Sequence, residues 1–272
     1  MLGLGIIGGA WARNLQADGD EVRCWNRTPK DFPGFMPGAD EAVDGADFVI
    51  VCVADPPAVQ SVLNLVLPHL KAGQTVIQSS TISAKWSRLF AGQVEATGAQ
   101  FLEAPFTGSK PAAEQRKTVF YLGGASALVE RCRPLLSRLS SAILHIGPVG
   151  SASSLKLAMN VNIAGIAQTL CESLALARAE GIADDTYFEA LRVNASRSGV
   201  SDLKEPKLRA RDYAPQFSVK HMAKDLRLAL ETSAADGLAM SGTEQVLKAY
   251  DSGLAAGWGD DDFIGLMRLA QK

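Results

Sequence analysis

Short apolar, β-branched runs alternate with amphipathic stretches through the first half of the chain and then stop. The runs occupy residues 21–25, 46–53, 75–78, 100–106, 118–122 and 142–146. Helical patterns at 9–17, 57–70, 84–97 and 127–139 lie between several of them. Parallel strands need a crossover that a helix supplies, so this alternation predicts βαβ units and a mostly parallel sheet. Residues 48–53 are apolar throughout, as expected of a strand covered on both faces. Beyond Gly147-Pro148 the strand signals end. Residues 149–180 read as one long helix closed by Gly181, and helical patterns follow at 186–193, 219–235, 242–253 and 261–271. The expected organisation is an α/β domain over 1–148 and an all-α domain over 149–272, with a ligand cleft where they meet.

Composition bounds the partners. The chain has 272 residues and 28.8 kDa, consistent with two domains. Lys and Arg total 27 against 29 Asp and Glu, so the cationic excess of a nucleic-acid binder is missing. Cys24, Cys52, Cys132 and Cys171 show no metal spacing and read as free thiols of a reducing compartment. No secretory signal pattern stands at the start, and no run approaches the ~20 apolar residues of a spanning helix. The expectation is a cytoplasmic protein with no nucleic-acid or membrane partner.

Gly3-Leu4-Gly5-Ile6-Ile7-Gly8 fits the G-x-G-x-x-G spacing, and a helical pattern follows at once. Such glycines allow a tight turn and close backbone approach to a pyrophosphate, while the helix N-terminus offers N–H donors and positive dipole. The plain alternative is a glycine-rich turn that binds nothing. An NAD site usually carries an acid about 20 residues on to hold the ribose 2′-hydroxyl. Here the second strand ends Cys24-Trp25-Asn26-Arg27-Thr28, with a cation and two neutral hydrogen-bonding side chains. Arg27 suits a 2′-phosphate that a carboxylate would repel, so NADP(H) is expected over NAD(H). Only Met1 and Leu2 precede Gly3, fewer than the roughly five residues of an ordinary strand. The first strand is therefore expected to be truncated, with a natural start upstream of Met1.

Lys156 and Asn160 stand four apart near the start of the long helix and share one face. Both interrupt a small and apolar surface. A partly desolvated ammonium can polarise a carbonyl and protonate its oxygen, whereas a lysine reaching solvent would do neither. His69, His145 and His221 are isolated and suggest no metal or nucleophile site. The Asp260-Asp261-Asp262 run is expected to cap the last helix.

The 3–8 motif, Asn26-Arg27-Thr28, Ser80-Thr81, Glu103-Ala104-Pro105-Phe106-Thr107-Gly108-Ser109, the 147–160 segment and Lys224-Asp225-Leu226 occur in an order and spacing that resembles the β-hydroxyacid dehydrogenase family. That family includes 3-hydroxyisobutyrate dehydrogenases, tartronate semialdehyde reductases and glyoxylate/succinic semialdehyde reductases. The resemblance covers nearly the whole chain and implies a Rossmann-type domain, an α-helical domain, and a homodimer or homotetramer. It implies that Lys156 is catalytic with Asn160 beside it. It also implies that Val53, Ala54, Thr81 and Lys224 touch the cofactor along with Gly3, Leu4, Gly5, Ile6, Ile7, Gly8, Asn26, Arg27 and Thr28. Thr107, Gly108, Ser109, Phe217 and Asp225 correspond to substrate neighbours. Thr107 stands where relatives carry serine and Ala152 where many carry glycine. Thr107-Gly108-Ser109-Lys110 looks more like the glyoxylate/succinic semialdehyde reductases.

The sequence reading is thus an NADPH-dependent reductase of a small carboxylate-bearing aldehyde or 2-oxo acid. The alternatives are a 3-hydroxyisobutyrate-type dehydrogenase, an imine reductase sharing the architecture, and a non-catalytic dinucleotide-binding module.

Overall fold

The computed structural model describes residues 1–271 and divides into two compact units, Met1–Leu157 and Ala158–Lys272. In the first unit, β1 (Phe48–Val51), β2 (Thr75–Gln78) and β3 (Gln100–Glu103) run parallel in register, Phe48 beside Thr75 and Thr75 beside Gln100. The sheet continues through β5 (Thr118–Gly123), antiparallel to β3 and to the two-residue β4 (Phe106–Thr107), and ends at β6 (Ser140–Gly147), parallel to β5. Helices α1 (Ile6–Ala17), α2 (Ala39–Val43), α3 (Pro56–Val66), α4 (Ala84–Glu95), α5 (Lys110–Glu114) and α6 (Ser126–Ser137) connect them. This is the Rossmann-type α/β arrangement that the alternating pattern predicts.

Strand alternation sorts the core into two layers. Ile50, Ile77 and Leu102 join Trp11, Leu15, Val129 and Leu136 on one face. Val49, Val51, Val76 and Phe101 join Val59, Leu63, Phe90 and Val94 on the other. Asp55 fixes the start of α3 by accepting the Ala58 N–H at 2.8 Å, with Pro56 in the first turn where no donor is needed.

Residues 1–3 take the place of a central strand. Leu2 bridges Trp25 on one side and Val51 on the other, both parallel. The Leu2 N–H donates to Ile50 O at 2.8 Å and the Gly3 N–H to Trp25 O at 2.9 Å. Two expected strands need correction. The 21–25 run yields only isolated bridges, Trp25 to Leu2 and Cys24 to Phe35. The 100–106 run breaks after Glu103, since Pro105 has no N–H for the ladder and the chain turns to pair Phe106 with Phe120.

The second unit is helical. The long helix α7 (Ser151–Ala179) enters it, followed by α8 (Asp184–Val193), α9 (Gly199–Ala210), α10 (Val219–Ala235) and α11 (Ser241–Ala255). Ala164, Leu170, Leu174, Phe188, Leu208, Met222, Leu226, Tyr250 and Ile264 form its core. Helix α9 is absent from the sequence reading. Its Pro206 and polar composition hide it, while a Ser198–Ser201 capping box starts it. The expected 261–271 helix is instead a 3-10 turn at Phe263–Leu266 and one short helix, α12 (Met267–Ala270). Asp262 does cap that turn, its side chain accepting the Ile264 N–H at 3.2 Å.

Candidate active site

The chain leaves the central strand at Gly3 and first builds toward Trp25. It then returns to β1 on the opposite side, so the sheet order reverses beside the 3–8 loop. Such a switch point, at the carboxyl ends of parallel strands, is where open α/β sheets bind ligands. Gly3 has φ +105°, and a Cβ there would stand 2.3 Å from Cys52 O. A Cβ on Gly8 would stand 2.1 Å from Gly3 O, so both glycines are needed for the turn to close. Gly5 precedes α1 with open space where its Cβ would project. The loop therefore leaves a bare backbone at a helix N-terminus, a fit for a pyrophosphate.

Two side chains that follow the bridged Cys24-Trp25 segment hold that loop. Asn26 Oδ1 accepts the Leu4 N–H at 3.0 Å, and Lys30 Nζ donates to Leu4 O at 2.6 Å. The Asn26 amide also donates to Thr28 O at 2.7 Å, so it is occupied on both sides. Arg27 and Thr28 are exposed next to it. Lys30 has no role in the sequence analysis, because Leu4, its partner, lies 26 residues away.

Val53 and Ala54 follow β1, and the Val53 N–H donates to Ser80 Oγ at 2.9 Å. Buried Gln78 braces Ser80 from both sides, accepting its N–H at 2.5 Å and donating to its carbonyl at 3.0 Å. Thr81 follows, half-buried. Thr107, which ends β4, and Gly108 and Ser109, which lead into α5, are half-buried. Gly108 has φ +114°, and a Cβ would meet Ala112 Cβ at 2.9 Å. Glu103, four residues before Thr107, is fully buried and was given no role from the sequence. Its carboxylate accepts backbone N–H groups from the first turn of α7, and Lys156 lies on that helix with only 8% of its surface exposed.

In the second unit, Asn160 and Asp225 are buried together, Asn160 Nδ2 donating to Asp225 Oδ2 at 2.5 Å. Lys224 Nζ lies 2.7 Å from Asp225 Oδ1, an ion pair set off the hydrogen-bonding direction. Asp225 thus orients one amide and neutralises one ammonium. Phe217 stacks on His221 with ring centres 6.0 Å apart and meets Phe263 edge-on at 6.1 Å. Burial, followed by the Lys224 charge, pushes the His221 imidazole below its ordinary value. A separate cavity of about 390 Å³, lined by Ile166, Thr169, Tyr187 and Ser198 among others, includes none of the expected site residues. Among the described residues no group of three His, Cys, Asp or Glu side chains is placed to hold a metal, and no helix is long and apolar enough to cross a membrane.

The family model of the NAD binding domain of 6-phosphogluconate dehydrogenase matches residues 1–147. That of the NAD-binding domain of NADP-dependent 3-hydroxyisobutyrate dehydrogenase matches residues 150–270. A glycine-bounded helix N-terminus at the switch point, with both matches, defines an NAD(P)-dependent oxidoreductase. The chain is 30% identical to Arabidopsis thaliana glyoxylate/succinic semialdehyde reductase 1 over 99% of its own length and 97% of the relative's. It is also 30% identical to the chloroplastic reductase 2 of that plant, over 98% of this chain and 77% of the relative. A Mycobacterium tuberculosis 3-hydroxyisobutyrate dehydrogenase, solved with L-serine, superposes with TM-score 0.90 at 26% identity, covering 100% of this chain and 98% of that one. The chain belongs to the β-hydroxyacid dehydrogenase family.

Proposed function

We propose that the protein reduces a small carboxylate-bearing aldehyde or 2-oxo acid, of the glyoxylate or succinic semialdehyde type, to the hydroxy acid with NADPH. In this reading residues 1–148 hold the dinucleotide, and residues 149–272 serve substrate binding and assembly into a homodimer or homotetramer. When bound, the reduced nicotinamide supplies the two electrons and one hydrogen that the carbonyl carbon takes up. The 3–8 loop and the α1 N-terminus receive the pyrophosphate, with Val53, Ala54, Thr81 and Lys224 lining the remainder of the dinucleotide. Arg27 pairs with the 2′-phosphate, while Lys30, donating to Leu4 O, holds the loop that receives the pyrophosphate.

Thr107, Gly108 and Ser109 hold the substrate carboxylate through hydroxyl and backbone N–H donors, with Phe217 and Asp225 as its neighbours. The Lys156 ammonium donates to the carbonyl oxygen, stabilises the negative charge growing there, and transfers its proton as the alcohol forms. Solvent then reprotonates the amine. Asn160, oriented by Asp225, supports the lysine's work at the oxygen. The observation that carries the reading is the burial of Lys156 on an otherwise small and apolar helix start. An ammonium at the end of a dinucleotide fold, held there with little of its surface in water, can donate a proton to the oxygen of a bound carbonyl.

A second reading, oxidation of a 3-hydroxy acid, is favoured by the superposition on the 3-hydroxyisobutyrate dehydrogenase. Measuring kcat/KM for glyoxylate, succinic semialdehyde and 3-hydroxyisobutyrate, each with NADP(H) and NAD(H), separates the two. The proposal expects the aldehydes with NADPH to lead. A clear lead for 3-hydroxyisobutyrate would transfer the assignment to the second reading.

A further inference from the structure

Helix α7 begins with N–H groups that no residue within the helix can satisfy, and they carry the positive end of its dipole. Glu103 meets them from another element. Its Oε2 accepts from Gly150 N at 2.8 Å and Ala152 N at 3.3 Å, while Oε1 accepts from Ser153 N at 2.9 Å. The side chain is fully buried, so these bonds replace the water it gave up. Room for it is made across the sheet, where a Cβ on Gly123 would stand 2.2 Å from Oε2.

The placement of this carboxylate matters more than its contribution as a cap. Four residues after Glu103 comes Thr107-Gly108-Ser109; three residues after Ser153, within one helical turn, comes Lys156. One buried group therefore ties the base of the first segment to the helix start that carries the second. We propose that Glu103 is a positioning residue that sets the carboxylate-gripping segment in register with the Lys156 ammonium. The proposal rests on the roles given above to Lys156 and Thr107. A charged acceptor is required because three donors converge on two oxygens, and an amide would turn an NH2 group toward one of them. An error near 1 Å in such an alignment can cost on the order of a hundredfold in rate without any loss of cofactor affinity.

The test uses the full-length protein with its best aldehyde substrate. Glu103→Gln is compared with Gly123→Ala, whose methyl displaces the carboxylate, and with Glu103→Asp, which keeps the charge but falls one methylene short. Kcat per folded molecule should drop roughly 10- to 100-fold in Glu103→Gln and Gly123→Ala, and less in Glu103→Asp. The NADPH Kd, read by fluorescence titration of the binary complex, should stay within about twofold. Wild-type kcat in folded Glu103→Gln or Gly123→Ala would overturn the proposal. So would activity lost only in proportion to the fraction folded, which would leave Glu103 a stabilising cap. Lys156→Ala, assayed alongside, keeps the failures apart: wild-type turnover there sinks the lysine's role, whatever Glu103 does.

Discussion

Charge is placed one side chain at a time around the dinucleotide loop. Arg27 lies exposed with no acid in the 24–28 segment, while Asn26 and Lys30 are committed to the two sides of Leu4. In the proposed function, selectivity between the two nicotinamide dinucleotides then falls to Arg27. Arg27→Glu should raise KM for NADPH by about tenfold or more, the scale of a charge-assisted hydrogen bond, with little change for NADH. Parallel steady-state assays with both cofactors check this, and an equal effect on the two would remove Arg27 from the 2′-phosphate. The glycines, Arg27 and Lys156 stand out in the sequence because each departs from its local pattern. Glu103 and Lys30 could not be assigned, because their partners lie 47–50 and 26 residues away and only folding brings them together.

Elements with one strong local signal were legible and those made by long-range contacts were not. The apolar 75–78 run and the amphipathic 219–235 stretch became β2 and α10 without change. Helix α9, in contrast, depends on tertiary contacts that offset its Pro206. Lys204, fully buried on α9, donates to both Asp262 oxygens at 2.8 and 2.9 Å and lies 4.5 Å from the Phe263 ring centre. Asp262 also accepts the Gln216 N–H at 2.9 Å, so the pair joins α9 to the segment before Phe217 and to the C-terminal turn. Lys204→Met should destabilise the protein by about 3–5 kcal/mol, because it strands a buried carboxylate. Urea denaturation measures this, and a change below about 1 kcal/mol would show that water or rearrangement replaces the pair.

At the scale of the molecule the sequence conveyed the architecture, a Rossmann-type unit followed by a helical one, since patterning over tens of residues outlasts local errors. The pH dependence of stability sums over groups in both units. Hydrogen bonds from Arg116, Arg178 and Lys207 hold the carboxyls of Asp18, Asp184 and Asp212 below their ordinary 3.8. Their stabilisation is present above that value and is lost as pH falls through the lower folded values. His221 has its folded value pushed below 6.5, so the unfolded chain takes up that proton first. Stability should therefore already decline as pH drops below about 6.5, and His221→Gln should flatten that upper limb while leaving the acid limb in place. Denaturation midpoints between pH 7.5 and 3 test both limbs, and an unchanged upper limb in the variant would clear His221 of the effect. The proposed reduction turns on a single amine. In steady-state assays Lys156→Ala should show kcat at least about a hundredfold below wild type while its NADPH Kd is unchanged. Near-normal kcat in the folded variant would remove Lys156 from the chemistry.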